Sequence, residues 1–371
     1  VIYLDNAATT FPKPSVVLDA VDNANRNLAF NAGRGAYDAA GKCSALIEET
    51  RLLLGNVLAV NADAVVFSSS ATEAINQIIY GLPLEEGDAV LVSPFEHNAI
   101  MRPLHLLQKE KKIDIIVLPF DENWQFSEAE LQNIVTMNSP KAVLLSQISN
   151  VTGFILPYQQ IFEQTPASIH ILDASQGFGI IPIEKAFTDY VVFAGHKALY
   201  STFGIAGFAI TGKDVLKVVK AGGTGSDSLN LDMPTAGHTK YEAGSPNINA
   251  IAGLNAALKW INPEAIKSHE DMLLNYLIER IEKLPRINTF CPPLGSHFGI
   301  LSFTVLGYQP DEVGQILNDE FEICVRTGFH CAPLVHEFLD TESGGGTIRV
   351  SLSLFTTLND LDSLLDALKT L

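Results

Sequence analysis

Basic residues are scarce in this chain. Lysine and arginine number 24 against 42 aspartates and glutamates, for a formal net charge of −18. So acidic a balance disfavours nucleic acid and anionic membrane as partners, because both need basic patches. Long apolar runs are missing as well, and none reaches the length of a membrane span. Cysteine occurs only at Cys43, Cys291, Cys324 and Cys331, with no Cys-x-x-Cys pair. That excludes a disulfide scaffold, offers no thiolate metal site, and suits a reducing compartment. No basic, apolar leader opens Val1-Ile2-Tyr3-Leu4-Asp5, so a cytoplasmic location is expected. Repeats and low-complexity tracts are also absent. What remains is 371 residues, 47% hydrophobic and 18% charged. This is a soluble globular composition on a chain too long for one ordinary core, so two domains are expected.

Short apolar runs recur at 64–67, 89–92, 113–118, 142–145, 169–172, 190–193 and 205–210, and helical or irregular stretches separate most of them. The alternation predicts an α/β fold with a mainly parallel central sheet covered by helices on both faces. Asn262-Pro263 marks a boundary, beyond which the pattern reads as a smaller α+β domain. The expected division is an arm at 1–14, a large domain at 15–262 and a small domain at 263–371. Two glycine-bearing loops, Asn31 to Gly35 and Gly222 to Ser226, interrupt the large domain.

In such sheets ligands bind beyond the carboxyl ends of the strands, and unusual polar residues follow these runs. Ser68-Ser69-Ser70-Ala71-Thr72-Glu73 opens a helix, either as a plain N-cap or as an anion site built from backbone N–H groups and the helix dipole. His97 either makes a local hydrogen bond or stacks on a planar ligand. Asn150 sits at a turn with both a donor and an acceptor. Asp173 ends a buried strand, where it caps the next helix or pairs with a cation such as a protonated pyridine. Lys197 follows Tyr190–Phe193 and Ala194-Gly195-His196. It either faces solvent or forms a Schiff base with an aldehyde cofactor.

The C-terminal part adds its own chemistry. Cys331 lies among Arg326, Gly328 and His330. Nearby positive charge favours a reactive thiolate there, whereas a small buried hydrophobe is the bland reading. Arg349 sits early in an otherwise apolar strand, where it either completes an internal salt bridge or grips a carboxylate.

The order of these motifs resembles the class V aminotransferase superfamily of fold-type I pyridoxal phosphate (PLP) enzymes, and within it the group II cysteine desulfurases and selenocysteine lyases. The matching residues are Tyr3-Leu4-Asp5-Asn6-Ala7-Ala8, Ala71-Thr72-Glu73-Ala74-Ile75-Asn76, Glu96-His97-Asn98, Ser149-Asn150-Val151-Thr152-Gly153, Asp173-Ala174-Ser175-Gln176, Gly195-His196-Lys197, Glu242 to Asn247, and Arg326 to Ala332. The resemblance implies PLP as cofactor, with Lys197 as its Schiff-base lysine and Asp173 on the ring nitrogen. It places Gln176 on the phenolic oxygen and His97 against the ring. Ala71, Thr72 and His196 would hold the phosphate, joined by Ser245 from the partner subunit of a homodimer. Asn150, Arg326 and Arg349 would bind the substrate carboxylate, and Asn150 would also touch the cofactor. Cys331 would take sulfur from cysteine, or selenium from selenocysteine, and pass it to an acceptor protein for iron–sulfur cluster or thio-cofactor synthesis. An alternative on the same scaffold is a C–S lyase, epimerase or aminotransferase in which Cys331 is not catalytic. Two departures stand out. Ala194 replaces the usual hydroxyl residue, with Ser201 or Thr202 as candidate substitutes, and Ala198 to Gly204 replaces the usual Gly-Pro turn.

Overall fold

A computed structural model describes residues 1–33, 35–225 and 229–371, so Arg34 and Ser226 of the two glycine-bearing loops lie outside the described residues. Its strands in chain order are β1 (Ile2–Tyr3), β2 (Val65–Ser68), β3 (Ala89–Val92), β4 (Asp114–Val117), β5 (Ala142–Ser146), β6 (Ile169–Asp173), β7 (Tyr190–Ala194) and β8 (Ala206–Ile210). Then follow β9 (Ile287–Phe290), β10 (Ile300–Val305), β11 (Ile323–Cys324), β12 (Arg326–Gly328) and β13 (Thr347–Ser351). Strands β2 to β8 form one sheet in the order β2-β8-β7-β6-β5-β3-β4. Pairing is parallel from β7 through β4, while β8 runs antiparallel to both β2 and β7. The fold is α/β with a mostly parallel central sheet and a smaller α+β C-terminal domain.

Alternation along β7 shows why the sheet is buried on both faces. Successive side chains point to opposite sides. Val191 and Phe193 enter the core with Leu54 and Leu254, under the helices Asp38–Leu58 and Ile248–Trp260. Tyr190 and Val192 enter the opposite core with Ile78 and Leu104, under the helices Ala71–Gly81 and Asn98–Lys111. Gly207 of β8 is required by this packing, because a Cβ there would lie 1.9 Å from the Val66 carbonyl oxygen.

The second sheet has the order β12-β13-β10-β9 and is antiparallel throughout. It packs on Leu273, Leu277, Leu361 and Leu364. The extended run 323–326 splits at Val325. Ile323–Cys324 pairs with β1 of the N-terminal arm, and Arg326–Gly328 pairs with β13. Strand β9 escapes sequence reading because Ile287–Phe290 is a partly exposed edge strand with no alternating apolar face. A short helix, Pro333–Phe338, follows Ala332.

The arm ties the two sheets together. Leu4 N donates to Cys324 O (2.9 Å) and accepts at its carbonyl from Ser351 N (2.8 Å). Further along, Thr10 N and Lys13 Nζ donate to His196 O at 3.1 and 2.8 Å. No helix among the described residues is long and apolar enough to cross a membrane.

Candidate active site

The carboxyl ends of β2, β5, β6 and β7 surround a cavity lined by Ala71, Thr72, His97, Asn150, Asp173, Gln176, Ala194, His196 and Lys197. Every residue expected at the cofactor is therefore on its wall except Ser245. Ser245 is exposed and lines a different cavity with Ser68, Ser69 and Glu73, on the other side of the same strand-to-helix turn. The Arg51 guanidinium holds its loop by two bonds to the Glu242 carboxylate (2.7 and 2.5 Å).

Lys197 is placed by a compact turn. Gly195 N donates to Ile205 O (3.0 Å), and a Cβ on Gly195 would lie 2.6 Å from that same oxygen. Tyr200 N closes the turn on Lys197 O (2.8 Å), and Ser201 N bonds Gly195 O (2.8 Å). Tyr200 sits at φ 53°, a left-handed conformation costing a non-glycine residue roughly 1–2 kcal/mol. Its phenol reaches across to the C-terminal domain. The hydroxyl donates to Glu270 Oε1 (3.2 Å) and accepts from Leu354 N (2.8 Å). Neither Ser201 nor Thr202 lines the cavity, and the Ser201 hydroxyl is buried without a partner, so the hydroxyl missing at Ala194 is not replaced by them.

Among the described residues the Lys197 amine makes no ion pair or hydrogen bond. Burial pushes its pKa below the usual ammonium range. Asp173 opposes that shift, Arg349 and Arg326 reinforce it, and the Cys331 charge opposes it. Asp173 Oδ1 accepts from Ser175 N (3.0 Å) and Ser175 Oγ (2.5 Å), while Oδ2 stays without a hydrogen bond among the described residues. His97 Nδ1 accepts from Ala99 N (3.0 Å), so the N-cap bond exists while the ring lines the cavity. Burial, then the Lys197 charge, pulls His97 down to about 4, and the ring is neutral at pH 7. His196 is pulled to about 3, chiefly by burial, and its buried Nδ1 has no partner. Gln176 Nε2 bonds Ala7 O (3.0 Å). At the start of the helix Ala71–Gly81, Ser70 caps Glu73 N (3.1 Å), and the turn faces the cavity at Ala71 and Thr72.

The C-terminal domain brings Cys331 next to the cavity, outside its lining residues. His330 and Cys331 are consecutive left-handed residues, at φ 48° and 58°, and the thiol is exposed. Their carbonyls are clamped by the large domain. Asn150 Nδ2 donates to His330 O (2.8 Å) and Asn98 N to Cys331 O (2.7 Å). Below them Ala332 and Val335 pack into an aromatic cluster of Phe95, Phe154, Trp124 and Phe338. Arg349 is buried, gives Nη1 to Asn150 O (2.8 Å) and Nη2 to Asp5 Oδ1 (2.6 Å), and leaves Nε without a partner. Arg326 is more exposed, 3.9 Å from Asp5 Oδ2.

A family model described as "Aminotransferase class-V" matches residues 2–364. The chain belongs to the class V aminotransferase family. It is 28% identical to a probable cysteine desulfurase of Methanothermobacter thermautotrophicus, over 99% of this chain and 94% of that one. Identity is 30% to a probable cysteine desulfurase of Mycolicibacterium paratuberculosis, over 99% of this chain but 55% of that protein, so the chain spans about half its length. The apo structure of a cysteine desulfurase from Thermococcus onnurineus superposes with a TM-score of 0.92 at 26% identity, covering 100% of this chain and 94% of that one.

Class V membership implies PLP, and the residues present fit it. A lysine without a partner faces an aspartate with a free oxygen. The unpartnered His196 Nδ1 and a helix N-terminus share the same cavity, as a phosphate would require.

Sequence reading assigned no role to several residues around this class V site. Glu96 is fully buried beneath it, taking bonds from Ser93 Oγ (2.5 Å), Ser146 Oγ (2.7 Å) and Ser146 N (3.0 Å). Burial lifts it to about 7. Its place beside His97 in the motif was the available signal. Asp5, Lys13 and Tyr200 have partners far away in sequence, and Glu270 carried no signal.

Glu270 makes a measurable prediction. It is buried, its one side-chain hydrogen bond among the described residues is to Tyr200, and burial lifts its pKa to about 8. Between the usual carboxyl value and about 8, the folded protein therefore binds more protons than the unfolded one, and stability falls as pH rises through that window. Glu270→Gln removes the titration. The variant is expected to be about 3 kcal/mol more stable than wild type at pH 7, with the difference shrinking toward pH 4.5. Denaturant melts of both proteins across that range measure it, and a pH-independent difference contradicts it.

Proposed function

We propose that this chain is a cysteine desulfurase, removing sulfur from L-cysteine to leave L-alanine and a persulfide on Cys331, with selenocysteine as an alternative substrate. The observation that supports this reading is the exposed Cys331, carried by the C-terminal domain and held next to the Lys197–Asp173 cavity through Asn150 and Asn98. An aminotransferase needs no thiol at that position. The names of the relatives support the same reading.

PLP bound here would supply an electron sink for the carbanion formed at the substrate Cα. Lys197 would hold it, Asp173 would keep the ring nitrogen protonated, and neutral His97 would lie against the ring. Ala71, Thr72 and His196 would take the phosphate, with Ser245 contributed by a second copy of the chain in a homodimer. Arg349, with Asn150 and Arg326, would bind the amino-acid carboxylate. Burial, which lowers the Lys197 pKa, favours the neutral amine, and once free that amine would remove the Cα proton and return a proton to carbon. Cys331 thiolate would attack the substrate sulfur. The S–S bond forms as the Cβ–S bond breaks, and carbon takes a proton as alanine leaves. The division into a large domain at 15–262 and a small one at 263–371 with the arm 1–14 suits these roles, since each side contributes part of the site. A sulfur-acceptor protein would then collect the persulfide.

The test is product analysis with L-cysteine and PLP, run beside selenocysteine. Alanine with one extra sulfur on the Cys331 peptide by mass spectrometry is expected. Pyruvate, a racemised substrate or a keto acid would instead identify a lyase, epimerase or aminotransferase.

A further inference from the structure

The guanidinium reserved for the substrate carboxylate already touches one carboxylate, from the opposite end of the chain. Arg349 is 2% exposed, its pKa is depressed by burial, and Asp5 opposes that depression. Asp5 Oδ1 accepts from Nη2 at 2.6 Å, and Asn150 O accepts from Nη1 at 2.8 Å. Nε is buried and without a partner. A buried donor left unsatisfied is costly, and each terminal nitrogen of the guanidinium carries a second N–H besides the one it gives to protein. Two guanidinium groups, Arg349 and Arg326, share the single Asp5 carboxylate, which leaves one positive charge over. That surplus matches one ligand carboxylate.

Asp5 is itself rigidly placed. On its N-terminal side Leu4 is bonded to Cys324 and Ser351, and on the other side Asn6 Nδ2 bonds Ser351 O (2.9 Å) and Ala7 N bonds Ser351 Oγ (2.8 Å). Ser351 lies two residues beyond Arg349 on β13. The arm therefore docks on the strand that carries the arginine, and the two charged side chains meet along it.

We infer that Asp5 is a positioning residue for substrate. It fixes the Arg349 guanidinium by taking one N–H of Nη2 while the Asn150 carbonyl takes one of Nη1, so that the remaining N–H groups are held in one orientation for the carboxylate of the incoming amino acid. This rests on the proposed reading of the cavity as an amino-acid site.

The experiment uses PLP-loaded protein and follows the cofactor's absorbance band during titration with two amines. One is L-alanine, and the other is ethylamine, which has no carboxylate. Asp5→Asn keeps the size of the side chain and removes its charge. Weakening of L-alanine binding by about tenfold is expected, as for loss of one charge-assisted hydrogen bond, with ethylamine binding unchanged within about twofold. Asp5→Glu keeps the charge but displaces it by one methylene. It should fall between wild type and Asp5→Asn, at about threefold, and it carries the test alone if Asp5→Asn does not fold. L-alanine binding that is unchanged or tighter overturns the inference, because Asp5 is then idle or competes with substrate. Equal weakening of both amines overturns it too, since the arm is then only structural. A wild-type protein that takes up no PLP overturns the cofactor reading, and this inference with it.

Discussion

Lys197→Ala is expected to abolish the cofactor's absorbance band after dialysis and to slow turnover of cysteine by at least roughly 10³-fold. Both effects follow from one side chain. Lys197 is the amine that the Gly195–Tyr200 turn holds in the cavity, and it has no competing partner there. Under the proposed function, alanine would remove the covalent anchor and the base together. Borohydride treatment should add mass to the Lys197 peptide of wild type and to no peptide of the variant. One other amine lies nearby. Lys13 Nζ donates to His196 O (2.8 Å), and burial pulls its pKa to about 7. Retention of band and turnover by Lys197→Ala, with mass added at Lys13, would transfer the role to the arm.

Cys331→Ala should separate sulfur transfer from cofactor binding. Turnover of cysteine to alanine is expected to fall by roughly 10²–10³-fold while the absorbance band stays at the wild-type level. The band survives because the thiol is outside the ring of residues lining the cavity. Turnover falls because Cys331 is the exposed thiol, whereas Cys43 is buried and Cys291 and Cys324 are half-buried. Cys43 is buried in the core beneath the central sheet, and Cys324 pairs with the arm strand in β11. The His330–Cys331 backbone is held in a left-handed pair by Asn150 and Asn98, so the loss belongs to the sulfur atom and not to a collapsed loop. Equal alanine release by both proteins would make Cys331 incidental.

Much of this site was legible because strand ends are local features. Asp173, Asn150, His97 and Lys197 each follow a short apolar run, and such runs become parallel strands whose carboxyl ends share one edge. Ser245 shows the limit. Its motif Glu242 to Asn247 is readable, yet in this chain it faces a cavity of its own. Ser201 and Thr202 show another. Two hydroxyls within eight residues of Ala194 look like replacements, but the left-handed turn at Tyr200 takes them away from the wall. The split at Val325 was invisible because two sheets compete for one extended run, and only the docking of the arm decides between them.

The amino-acid sequence alone therefore determined the α/β class, the mainly parallel sheet and the polar strand ends beyond it. Those depend on side-chain periodicity and turn chemistry within a few residues. Tertiary structure decided which groups meet. It inserted β8 antiparallel between β2 and β7, set Asp5 against Arg349 across 344 residues, and bolted the Lys197 turn to Glu270 through Tyr200. Charges and donors so far apart along the chain carry no common period. Their pairing follows from how the arm and the second sheet close over the first, and from the cost of leaving a buried guanidinium without an anion.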